Sequence, residues 1–85
     1  MRSNKVENLV TMANQIGDFF ETMKNRNQSL DEISSHLKRF WEPRMRRALL
    51  EHVEQHDGTG LKDIVLESVR KHKEQLASGT VAKTA

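Results

Sequence analysis

The apolar residues of this chain recur three and four positions apart. Val6, Leu9, Ala13, Ile16, Phe20 and Met23 keep that spacing first, and Leu30, Ile33, Leu37 and Phe40 keep it again. Residues three or four apart share one face of an α-helix, whereas a strand returns to a face every second residue, so the pattern predicts helices and no sheet. The first helix is expected over about 5–24. Gly17 lies inside it, either as a tolerated imperfection or as a point of close approach by a neighbouring helix, and the sequence leaves both readings open.

The polar run "KNRNQS" ends that pattern, and Ser29 with Glu32 three residues on reads as a capping box, so a second helix is expected over about 30–40. Pro43 has no amide hydrogen and suits the first turn of a new helix, expected over about 43–56. Met45, Leu49, His52 and Val53 would face inward there, with Ala48 permitting close packing. Gly58 is the natural left-handed cap, Thr59 or Gly60 can open the next helix, and Leu61, Ile64, Val65, Ser68 and Val69 mark it over about 61–76. "ASGTVAKTA" has no period. The expectation is an all-α fold, a small bundle of about four short helices in one domain over 1–76, with a flexible, disordered tail over 77–85.

Composition narrows the function. The 85 residues are 35% hydrophobic and 31% charged, enough for one thin core that a partner could help to stabilise. There is no cysteine, so disulfides, thiolate metal sites and thiol nucleophiles are excluded. Neither a signal-peptide pattern nor an apolar run long enough to span a membrane is visible, and the expected location is cytoplasmic. No nucleophile with its base and no carboxylate pair stands out. His52 and His56 have the spacing of two ligands on one helix face, but "HVEQH" lacks the glutamate position of a zinc-protease helix and no third ligand is evident. Gly58-Thr59-Gly60 follows a helix rather than a strand and lacks the lysine and hydroxyl of a phosphate loop. Met12, Met23 and Met45 read as core fillers. No catalytic, cofactor-binding or metal residue is assigned.

Charge gathers at one place. Residues 38–47 hold Lys38, Arg39, Arg44, Arg46 and Arg47 against Glu42, a local +4 in a chain of net +2, beside the only Trp and the only Pro. One reading is a helix-turn-helix-like nucleic-acid-binding regulator, with the arginines opening the recognition helix. Against it, Glu42 sits in the patch, the turn lacks glycine, and "ALLEH" follows the arginines where a DNA reader offers Asn, Gln, Ser or Thr. The other is a protein-docking corner, because Trp and Arg supply interface hot spots and Pro fixes their direction. A plain helix corner, with Trp41 over the core and solvated arginines, is the third.

"LVTMANQIGDFF" at 9–20, "HLKRFWEPRMRRALLEHV" at 36–53 and "GTGLKDIVLESV" at 58–69 occur in the order and spacing of one family. Together they resemble the delta subunit family of the soluble NAD-dependent formate dehydrogenases, multi-subunit molybdenum or tungsten enzymes, over about residues 6–70. The resemblance implies a small accessory chain without a cofactor of its own, bound to the catalytic (alpha) subunit and supporting assembly or stability of the complex. Partner subunits would carry the molybdopterin-type cofactor, iron–sulfur clusters and FMN. No nucleic acid and no membrane partner is implied. The matching motifs place candidate protein-interaction residues at Asn14, Gln15, Phe40, Trp41, Pro43, Arg44, Met45 and Arg47. A transient chaperone of the catalytic subunit, acting before cofactor insertion, is a weaker form of the same reading.

Overall fold

The computed structural model describes residues 4–81, and side chains within 5–77. Five helices follow one another in this span: α1 Asn4–Phe20, α2 Arg26–Phe40, α3 Pro43–His56, α4 Asp63–Lys71 and α5 Lys73–Val81. No strand occurs among the described residues. α2 packs on α4, α3 packs on α5, and α1 touches α2, α3 and α4. Leu9, Ala13, Leu30, Ile33, Leu37, Trp41, Leu49, Leu50, Val53, Ile64, Val65, Val69 and Leu76 form one buried cluster. The three-and-four spacing therefore does close on a common core.

The helix ends show why some expected boundaries moved. α1 stops at Phe20 rather than 24, and its last carbonyls are taken locally. Thr22 Oγ1 donates to Phe19 O at 3.2 Å, and Ser29 Oγ donates to Phe20 O at 2.7 Å. Ser29 is thus a buried residue of α2, not its N-cap. Asn25 caps α2, its side chain accepting from the Gln28 N–H at 3.1 Å, so the helix starts four residues earlier than the Ser29 capping box predicted. One orphan donor of the first turn is met in this way.

α3 has the expected bounds, with Pro43 in its first turn. Its C-cap is Asp57 at φ 55° rather than Gly58, which follows at φ 66° and donates its own N–H to His52 O at 3.2 Å. Aspartate tolerates the left-handed region better than most residues, but Gly58 is doubly constrained. A Cβ there would stand 2.6 Å from Leu66 Cδ1. The next helix begins after Lys62, not at Thr59 or Gly60.

The expected fourth helix, 61–76, is two helices that meet at His72, whose φ of −109° and ψ of 27° leave the helical region. The break directs α5 onto α3 and brings Leu76 into the core. His72 Nε2 lies 2.9 Å from Asp31 Oδ1 of α2, without the alignment of a hydrogen bond. Of the tail expected over 77–85, residues 77–81 continue α5, and 82–85 lie outside the described residues.

Candidate functional site

α1 and α4 meet along a tight seam. A Cβ on Gly17 would overlap Cγ2 of Val65, which decides for the close-approach reading of this glycine. One turn earlier, Asn14 Nδ2 donates to Gly60 O at 3.0 Å and its Oδ1 accepts from the Lys62 N–H at 2.9 Å. Both ends of the amide are engaged with the 60–62 loop. Asn14, a candidate interaction residue, is therefore occupied inside the chain.

Lys62 completes the seam. Its Nζ lies 2.7 Å from Asp18 and 3.1 Å from Glu21. The Asp18 hydrogen bond first, and then that of Glu21, hold the ammonium pKa above its ordinary value. A lysine at the N-terminus of α4 opposes the helix dipole, and the two carboxylates offset that conflict.

The α2–α3 corner is arranged differently, because neighbouring residues there go opposite ways. Trp41 is 6% exposed and belongs to the core, four residues after Leu37 and in phase with it. Little of its indole reaches solvent. Phe40, assigned to the inner stripe by its spacing, is instead 67% exposed. Trp41, the extended C-cap of α2, turns to the core, while Phe40, the last helical residue, stays outside it.

Arg46 is likewise buried, and its Nη1 points to Lys38 O at 3.4 Å, one of the last carbonyls of α2. Its Nε has no protein partner among the described residues. A cation at a helix C-terminus is favourably placed, so this arginine ties the corner together rather than reaching outward. Arg44 and Arg47 are exposed, as are Pro43 and Gln15, while Met45 is half-buried and packs against the core. Among the described residues Arg26 and Arg70 hold carboxylates, and Arg44 and Arg47 hold none.

Beside the corner lies a feature that the periodicity did not single out. Phe19 and Phe20 meet edge to face at 4.9 Å, Phe20 approaches His36 at 6.1 Å, and His36 lies 4.7 Å from Phe40. The Arg39 guanidinium sits 5.8 Å from the Phe40 ring centroid, within cation–π reach. Met12, Gln15, Ile16, Phe19, Phe20, His36 and Trp41 line an open groove of about 410 Å³. Phe19 is 73% exposed and Met12 40%, so Met12 is not the core filler expected. The available signal was phase: Met12 and Phe19 fall outside the Leu9, Ala13, Ile16, Phe20 stripe.

The His52 and His56 rings are 5.7 Å apart, and His52 Nε2 meets Thr59 O at 2.8 Å. That nitrogen tethers the loop. No group of three His, Asp or Glu that could hold a metal occurs among the described residues, and no helix there is long and apolar enough to cross a membrane.

The sequence model of one known family, described as NADH-dependant formate dehydrogenase delta subunit FdsD, matches residues 8–69. No curated protein and no solved structure matches the chain.

Proposed function

Because the chain belongs to the delta subunit family of NADH-dependent formate dehydrogenases, we propose that it is a non-catalytic accessory subunit that binds the catalytic (alpha) subunit. Binding supports assembly or stability of the complex. The molybdopterin-type cofactor, iron–sulfur clusters and FMN belong in this reading to partner subunits, and the chain works in the cytoplasm without nucleic acid or membrane. The observation that carries it is the outward half of the corner, Phe40, Pro43, Arg44 and Arg47, exposed together, with neither arginine holding a carboxylate among the described residues. Exposed arginine beside an aromatic ring supplies directed hydrogen bonds and large contact area, the usual chemistry of an interface anchor.

The same corner serves a nucleic-acid groove poorly. Beyond Arg47 the outer side of α3 continues with Glu51 and Glu54, so positive charge does not run along the helix as a phosphate backbone requires.

The test is production of the formate dehydrogenase with and without this chain. The reading expects the catalytic subunit to retain the chain through purification, and to be recovered in lower yield or melt at lower temperature without it. Equal yield and melting together with no retention would sink it. A stoichiometric chain in the active enzyme identifies a permanent subunit, whereas retention only by cofactor-free catalytic subunit identifies a transient assembly factor.

A further inference from the structure

We infer that the groove between α1 and the end of α2 is the seat of an apolar segment of the catalytic subunit whose flanks carry carboxylates. The inference rests on the accessory-subunit reading and gives it a surface and a chemistry. The large apolar side chains exposed among the described residues are Met12, Phe19 and Phe40, and they lie in one patch. Met12 and Phe19 line the groove, and Phe40 joins it through His36. Scattered exposed apolar residues are ordinary, but a contiguous apolar patch with a polar rim marks a contact surface. The groove has Trp41 in its wall, so its floor is set by the rigid core rather than by mobile side chains.

Charge selects the occupant. Asp18 and Glu21, the carboxylates beside Phe19 and Phe20 in the chain, are both drawn to Lys62 on the α4 side. Glu32 on α2 lies about two turns before Phe40. Near Phe40 in the chain, Lys38, Arg39, Arg44 and Arg47 stand against Glu42, and the Arg39 guanidinium lies over the ring. A net positive end beside aromatic walls fits an apolar insertion bordered by Asp or Glu, since an exposed arginine such as Arg39 can take a carboxylate in a two-pronged contact. A second copy of this chain fits less well. A two-fold contact centred on this net positive end would set it against itself.

The experiment uses the full-length chain and its catalytic subunit, with affinity measured for Phe19→Asp, Phe40→Asp, the double variant and Arg39→Glu. Both phenylalanines project into solvent, so a wild-type circular dichroism melt is expected and is checked for each. The dissociation constant should rise on the order of tenfold or more for each phenylalanine variant. Arg39→Glu should weaken binding and flatten its dependence on salt.

Wild-type affinity in the double variant would overturn the groove while leaving the accessory role standing, most clearly if Arg44→Glu with Arg47→Glu then proved weak. A wild-type chain that never binds the catalytic subunit would remove the role itself. A wild-type dimer that Phe19→Asp converts to monomer would show the groove to be a self-contact and overturn the assignment to the catalytic subunit.

Discussion

The α1–α4 seam and the α2–α3 corner are both rich in polar side chains, and they use them in opposite ways. At the seam, Asn14 meets two backbone groups and Lys62 meets two carboxylates, so polarity there is spent inside the chain. At the corner, Trp41 and Arg46 turn in while Phe40, Arg44 and Arg47 turn out, and neither exposed arginine finds a carboxylate among the described residues. Both regions fall within the family match. A polar residue in a recognisable motif is therefore not by itself a contact residue. What separates the two cases is whether its donors and acceptors are already engaged.

The sharpest test of the corner compares adjacent aromatics. Trp41→Ala should remove about 3–5 kcal/mol of folding stability, the usual cost of emptying a buried aromatic site. Phe40→Ala should shift stability by less than about 0.5 kcal/mol, because its ring is already in solvent. Urea unfolding of both variants measures the contrast. A Trp41→Ala chain as stable as wild type would mean that the corner has no inward half.

The seam is broken in two ways of different size. Asn14→Ala leaves Gly60 O and the Lys62 N–H without their partner and should cost about 2 kcal/mol, with faster amide exchange in the 58–62 loop as the local sign. Gly17→Ala sets two effects against each other. Alanine gains about 1 kcal/mol of helix propensity, and the new Cβ overlaps Val65 Cγ2, which costs about 1–3 kcal/mol because valine on a helix has one favoured rotamer. The net expected is a loss of about 1 kcal/mol by chemical denaturation. A gain would show that α1 and α4 can separate freely.

How much of this was legible from the sequence depended on whether local chemistry left a choice. Pro43 can open a helix but not continue one, and α3 has the predicted limits. Asn25 and Ser29 can both cap α2, and a contact nine residues back in the chain, from Ser29 to Phe20 O, decides between them. At His72 neither glycine nor proline announces the break; packing of α5 on α3 accompanies it. The family motifs pointed to 40–47 but could not separate its faces, since Phe40 follows Leu37 by three and Trp41 follows it by four. Either spacing suits a helix. Asn14 shows the same limit, because a motif residue reads alike whether its partner is a loop or another protein.

Lys62 gives the seam a pH signature. Its folded pKa lies above the unfolded one, so the stabilisation is complete below the ordinary lysine value of 10.5 and fades as pH rises through the folded value. Stability should therefore lack any Lys62-dependent step near neutrality and show one above 10.5 that Lys62→Met abolishes. An unchanged alkaline step in the variant would assign it to another group.

The smallest expected effect on folding sharpens the comparison most. Arg44→Glu with Arg47→Glu reverses two charges that hold no carboxylate among the described residues. Folding stability should move by less than about 0.5 kcal/mol, as for exposed positions outside any network. If these arginines face the catalytic subunit, retention of the chain should nevertheless fall, and fall more at low salt, where charge contributes most. Each region would then fail in its own way: the seam loses fold while the outer corner loses partner. A large loss of folding stability in this variant would instead make the arginines internal struts, and the distinction between the two regions would disappear.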